Sequence, residues 1–156
     1  MRKQKFFLLL FLFLIISTAV LFGTEYQKVP VKVVKVVDGD TIYVKYGELS
    51  GLKIRMLNIN TPEKGKPLYA EAKTYLSNLI TDKFVVLEIP LKRYKNISHG
   101  KYNRILANVY YNEIFVNAEI VRHGYSKYWT KYGVSIQSNL FLHAEREAKR
   151  KHLGVH

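Results

Sequence analysis

Three short stretches hold the charged side chains that could do chemistry. "DGDTIYV" at 38–44 sets Asp38 and Asp40 either side of Gly39, in a chain with 25 Lys and Arg against 12 Asp and Glu. Asp and Gly tolerate the positive φ of tight hairpins, so a turn is one reading of this stretch, and a site built from scarce carboxylates is the other. "IRMLNINTPE" at 54–63 places Arg55 inside an otherwise apolar run and leads into Asn60, Thr61, Pro62 and Glu63. An unpaired guanidinium is costly in such a strand. "GKYNRILANVY" at 100–110 puts Arg104 at the head of another apolar run. Taken singly, Arg55 can snorkel, Thr61-Pro62 can form a loop with Glu63 opening a helix, and Arg104 can be a strand-end charge. The formal net charge of +13 suggests a polyanionic partner, either nucleic acid or an anionic membrane face.

The elements that must position these groups are read from periodicity. Val31–Val37, Thr41–Tyr46 and Leu52–Leu57 are β-branched and aromatic-rich with partial two-residue alternation, separated by "DGD" and "GELSG". They predict three strands joined by tight turns. Leu68, Ala72, Leu76, Leu79 and Ile80 recur at helical spacing, and Pro67 suits the first turn, which predicts a helix from Pro67 to Ile80. "KFVVLEI" and "RILANVYY" are two further strands, and "FVNAEIVRHG" is a short helix stopped by Gly124. A last helix over about Ile136–Lys151 is expected to bury Ile136, Leu140, Phe141, Ala144 and Ala148. Five strands with a helix after the third, closed by helices, suit an α+β fold built on a small five-stranded Greek-key β-barrel of the OB type with about three helices.

Residues 1–23 stand apart. Arg2, Lys3 and Lys5 precede Phe6–Gly23, an uncharged and mostly Leu, Phe and Ile segment, which predicts a signal peptide or an N-terminal membrane anchor. Ser17–Ala19 and Leu21–Gly23 are poor cleavage patterns, so secretion and anchoring through residues 6–23 both stay open. Residues 24–156 are read as one domain, expected to be a monomer. Setting aside the three basic leader residues leaves that domain a charge of +10. The chain contains no cysteine, so the domain has neither disulfides nor a thiolate metal site and must be stable by packing.

In order, "DGDT", R-x-L-x-x-x-TPE as "RMLNINTPE", K-Y-x-R as "KYNR", and "VNAEIVRHG" beside a V-N-x-x-L-V-R-x-G pattern resemble the staphylococcal nuclease, or thermonuclease, family. The likeness runs from about Val31 to the C-terminus. It implies an OB-type barrel, one calcium ion, and phosphodiester hydrolysis of DNA, RNA or both. Carried over by position, it implies Asp40, Asn60 and the Thr61 carbonyl as metal ligands. It implies Glu63 as the residue holding the attacking water, and Arg55 and Arg104 as the arginines facing the scissile phosphate. Lys101, Tyr102 and Tyr132 fall at nucleic-acid-binding positions. Such hydrolysis builds negative charge on the phosphoryl oxygens, which a divalent ion and two guanidiniums offset. Arginine's planar fork can bond two phosphate oxygens at once.

The chain departs from the family in three places. Asn60 stands where the family usually has Asp, which lowers the charge of the ligand set. The loop after Glu63 is short, and Thr130 stands where one of two nucleotide-contacting tyrosines is expected. "YSKYWTKY" at 125–132 interleaves bases and aromatics as a single-strand binding surface does, or else packs as an ordinary connection. Beside the calcium-dependent nuclease, two readings remain: a non-catalytic nucleic-acid-binding module of the OB type, exported or membrane-anchored, and an anchored module whose charge serves anionic lipid or a cell-surface polymer.

Overall fold

The computed structural model describes residues 25–91, 104–131 and 133–156. Residues 1–23, and Lys101, Tyr102 and Tyr132, which the resemblance assigns to nucleic-acid binding, lie outside the described residues. Among those described, no helix is long and apolar enough to cross a membrane.

The β-branched runs form strands. They are β1 (Tyr26–Asp38), β2 (Thr41–Tyr46), β3 (Leu49–Met56), β4 (Phe84–Pro90) and β5 (Ile105–Tyr111). The stretch "GELSG" is not all turn: β3 starts at Leu49, which pairs with Tyr46, so Gly47 and Glu48 alone make the bend. A two-residue β6 (Ile114–Phe115) folds back on β5 around Asn112, which adopts φ 52°. The helices are α1 (Tyr69–Ile80), α2 (Val116–Arg122) and α3 (Ser138–Arg150).

β1 is long because it serves two partners. Tyr26–Lys32 pairs with β4, and Lys32–Asp38 pairs with β2. Two register irregularities, between Val33 and Lys35 and between Val36 and Asp38, let one strand bend across both ladders. β3 then pairs antiparallel with β2 and parallel with β5, with Ile54 opposite Ile105 and Arg55 opposite Leu106. β5 pairs with β4, so β1, β2, β3, β5 and β4 close in a ring. This is consistent with the expected α+β, OB-like arrangement.

Inside the ring lie Val31, Val33, Val36, Ile42, Val44, Ile54, Met56, Leu87 and Val109, joined by Leu76 and Ile80 of α1. α2 and α3 extend that core with Val116, Ile120, Val121, Phe141 and Ala144. Phe141 stacks on Tyr128 at 4.6 Å between centroids and meets Phe115 edge-on at 5.2 Å.

Several expectations need correction. β1 begins five residues before Val31, because the β4 ladder, and not local alternation, organises Tyr26–Pro30. Pro67 is not in the first turn of α1: the helix starts at Tyr69, and Leu68 takes the N-cap with φ 67°. α3 starts at Ser138, and Ile136 and Leu140 are 59% and 45% exposed. Phe141 is the bulkiest side chain on that helix and goes inward with Ala144 and Ala148. Leu140, about 100° round the helix, is thereby turned out.

Polar ties hold the layers in register. Asn117, fully buried in α2, accepts from the Val109 N–H at 2.9 Å and donates to the Leu57 carbonyl at 2.9 Å. The chain end is seated by close backbone approach. Val155 N–H donates to the Gly124 carbonyl at 2.9 Å, and a Cβ on Gly124 would lie 2.5 Å from the Leu153 carbonyl. Since Gly124 also adopts φ 76°, no other residue fits there without displacement.

Asn117→Ala strands two buried backbone groups, so it should destabilise the fold by roughly 2–4 kcal/mol, measured by urea denaturation. A loss below about 0.5 kcal/mol would show that water replaces the amide at no cost.

Candidate functional site

The turn from β1 to β2 delivers Asp40 into the protein. Gly39 permits this, since a Cβ there would lie 2.8 Å from both Ala72 Cβ of α1 and Thr61 Cγ2. The turn can therefore press against α1 and the stretch that follows β3. Asp38 remains near the surface, and its Oδ1 accepts from the Asp40 N–H at 3.1 Å.

Asp40 itself is buried, and four donors meet its carboxylate. Thr41 hydroxyl donates to Oδ1 at 2.9 Å. Thr61 donates to Oδ2 through its N–H at 2.9 Å and its hydroxyl at 3.2 Å. Arg55 Nη2 lies 3.0 Å from the same oxygen. Burial pushes the Asp40 carboxyl up to about 6, opposed by the Arg55 guanidinium, raised further by Asp38, and lowered by the Thr61 and Thr41 hydrogen bonds. A carboxylate so removed from water calls for positive charge beside it.

Arg55 does more than neutralise. Its Nη1 donates to the carbonyls of Met56 at 2.8 Å and Ile59 at 3.0 Å, and its Nη2 donates to Asn60 Oδ1 at 3.1 Å. One guanidinium thus gathers the chain as it leaves β3 and brings Asn60 toward Asp40. This explains an arginine in an apolar strand: it is paired, not snorkelling. Met56 N–H also donates to the Asp40 carbonyl at 2.9 Å.

The structure therefore brings Asp40, Arg55, Asn60 and Thr61 into one hydrogen-bonded cluster. Glu63 and Arg104 line the same cleft, of about 900 Å³, with Asp38, Lys53, Asn108, Trp129 and Val134 also in its walls. Glu63 is exposed and Arg104, just before β5, is half-buried. Lys101, Tyr102 and Tyr132 are not placed by the described residues.

Asp40 carboxylate, Asn60 amide oxygen and the Thr61 carbonyl are hard oxygen donors of the kind calcium takes. Among the described residues, no three Asp, Glu, His or Cys side chains cluster as a metal site. A fit to a cation thus depends on the amide and carbonyl oxygens, which suits calcium and excludes a zinc-type set. Asp40 Oδ2 and Asn60 Oδ1 both lie within hydrogen-bond reach of Arg55 Nη2, so these two oxygens already converge on one positive group.

Sequence reasoning missed three supporting residues. Ser126, buried after α2, accepts from the Asn60 N–H at 2.8 Å and donates to the Lys127 carbonyl at 2.7 Å. Asn58 adopts φ 58° and donates through Nδ2 to the carbonyls of Trp129 at 3.1 Å and Gly133 at 2.9 Å. Asn108 is buried in the cleft wall, where it donates to Glu88 at 3.1 Å. Their partners lie far along the chain, and the one local signal was Asn58, a residue type that tolerates the left-handed region.

Comparison with known proteins adds a lineage to this geometry. A family model described as staphylococcal nuclease homologue matches residues 53–155. The chain is 30% identical over 142 residues to an uncharacterized endonuclease of Haemophilus influenzae, covering 91% of this chain and 74% of that protein. It is 32% identical over 152 residues to an uncharacterized protein of Methanocaldococcus jannaschii, covering 80% and 70%. It is 29% identical over 150 residues to endonuclease Htp3 of Saprolegnia parasitica, covering 80% and 68%. The family match starts at Lys53 and leaves out β1, β2 and Asp40, which β3 pairing and the Arg55 contact bring to the same site.

Ser126→Ala leaves the Asn60 N–H without its acceptor and should cost about 1–3 kcal/mol by urea denaturation. Unchanged stability would mean that Asn60 is held by Arg55 alone.

Proposed function

The chain belongs to the staphylococcal nuclease homologue family, and from that premise we propose that it is a calcium-dependent nuclease hydrolysing phosphodiester bonds of DNA, RNA or both. The observation that carries this reading is the meeting of Asp40, Arg55 and Asn60 in a cleft also lined by Glu63 and Arg104.

Each group has a role that follows from its chemistry. Asp40, Asn60 and the Thr61 carbonyl are the residues that would hold the calcium ion. When bound, that ion offsets the charge gathering on the phosphoryl oxygens. Arg104 would donate hydrogen bonds to those oxygens, where such donors act most strongly as charge develops, and Arg55, its terminal nitrogens bonded to Met56, Ile59, Asn60 and Asp40, contributes its positive charge beside them. Glu63, exposed in the cleft wall, accepts the proton of the attacking water or orients it. The surplus of basic residues raises the local concentration of a polyanionic substrate and speeds its encounter.

The decisive assay incubates the chain with single-stranded DNA, duplex DNA and RNA, with calcium or with chelator. Fragmentation abolished by chelator supports the enzyme, and retention without cutting selects the non-catalytic binding module. That second reading draws on the neutral Asn60 and on Arg55, both of whose terminal nitrogens bond acceptors within the protein.

Arg104→Lys should lower turnover by roughly 100- to 1,000-fold, since lysine keeps the charge and loses the fork. Arg55→Lys should lower turnover as much and also destabilise the fold, because the Met56 and Ile59 carbonyls lose their donor. Steady-state rates beside urea denaturation separate the two effects, and a near-normal rate in folded Arg104→Lys removes it from the reaction.

Asn60→Asp adds a carboxylate beside Asp40 and should lower the calcium concentration for half-maximal activity, with a smaller change at saturating metal. Asp40→Asn should raise it. A calcium titration of activity that gives one midpoint for wild type and both variants would place the ion elsewhere.

A further inference from the structure

Strands β1 to β3 run between two ends of the ring. Asp40 lies between the end of β1 and the start of β2, and Arg55 is one residue from the end of β3, so the charged cluster gathers at one set of strand ends. The other ends of the same strands are apolar. There Val29, Leu52 and Ile105, each partly buried, help to line a cavity of about 310 Å³, with Tyr46 and Leu49 at its mouth. These last two flank the bend at Gly47 and Glu48, and they are 51% and 60% exposed. Every residue lining the cavity except Gln27 and Tyr46 has a pure hydrocarbon side chain, so the chemistry that this mouth matches is hydrocarbon and not a charged group.

The apolar segment Phe6–Gly23 joins the protein beside this mouth. Gln27 and Val29 of β1 line the cavity, and the chain is tied to the sheet as far back as Glu25, whose carbonyl accepts from the Leu91 N–H at 2.7 Å. Only Thr24 separates Glu25 from Gly23. At ~3.3–3.6 Å per residue, the two steps from Gly23 to Glu25 cover about 7 Å at most. Residues 6–23 are 18 in number and uncharged, which reaches the length needed to cross a bilayer. A bilayer holding them has its hydrocarbon boundary within that short reach of Glu25, and no linker lets the ring stand off.

We propose that this mouth is a membrane seat. With residues 6–23 retained in a bilayer, Tyr46 and Leu49 enter the boundary between headgroups and hydrocarbon, and the charged cluster at the other ends of β1 to β3 is held away from the lipid. Tyrosine is the residue type that gathers at that boundary, its ring in the apolar layer and its hydroxyl in the wet one. The placement stands whether or not the cleft cuts nucleic acid.

A chain without cysteine makes the test direct, because one thiol can be introduced at a time. Leu49→Cys and, in a separate chain, Val134→Cys, exposed on the cleft wall, are labelled with an environment-sensitive fluorophore. Each full-length protein is reconstituted in phosphatidylcholine vesicles, with or without phosphatidylglycerol, and with lipid spin-labelled high in the acyl chain. The probe at 49 should emit to the blue of the probe at 134 and lose intensity with spin-labelled lipid, in neutral and anionic vesicles alike. The probe at 134 should keep its aqueous emission and stay unquenched. Should the Leu49 variant not fold, Tyr46→Cys reads the same mouth.

An unquenched probe at 49 overturns the proposal, as does equal quenching at both positions. Quenching at 49 in anionic vesicles alone makes the contact ionic and overturns it too. A blue shift at 49 without lipid quenching shows that protein fills the mouth, either the chain's own leader or a second copy, and has the same force. Full-length chain recovered from the membranes of its host supports the seat, and a mature chain lacking residues 6–23 overturns it.

Discussion

A carboxylate taken out of water must be met by donors or charge, and the satisfaction of Asp40 organises this molecule. Its two oxygens receive Thr41 from β2, Thr61 from the segment after β3, and Arg55 from β3 itself. Leaving such a group unmet costs several kcal/mol, which is a large share of the stability of a small protein. The β1–β2 turn, the end of β3 and the approach to α1 are thus constrained to meet at one point. The arginine that meets Asp40 also spends donors on Met56, Ile59 and Asn60, so the electrostatic requirement becomes a geometric one.

The ring of strands makes that meeting possible. Parallel closure of β3 on β5 sets Arg55 opposite Leu106, two residues from Arg104, so both arginines reach one cleft from neighbouring strands. A bent β1 carries the carboxylate turn to the same end. Around this frame the helices contribute by hydrogen bonds as much as by apolar area. Asn117 of α2 spans β5 and the exit of β3, Ser126 holds the Asn60 backbone, and Asn58 holds the turn bearing Trp129. Each tie uses a small polar residue because only a group with short reach can satisfy two backbone atoms without opening a void. Charge then acts over a longer range, since a net charge of +13 draws polyanions toward the protein.

Much of this was legible in the order of residues. β2 has the bounds its alternation predicts, and β4, β5 and α1 lie within two residues of theirs, because periodicity and turn chemistry act over a few neighbours. The "DGDT" and "RMLNINTPE" stretches marked Asp40, Arg55, Asn60 and Thr61, which the structure joins by direct hydrogen bonds. Other features depended on partners that no local window contains. The first residues of β1 are ordered by β4, and Leu140 is turned outward by the packing of Phe141 against Phe115 and Tyr128. Asn58, Asn117 and Ser126 bond atoms some 60 to 75 positions away, so as letters they read as ordinary loop or helix polars. Propensity and patterning thus determined which segments form and which side chains carry charge. Tertiary packing decided which of those side chains are buried, and the burial of Asp40 is what draws an arginine, and through it an amide, into one site.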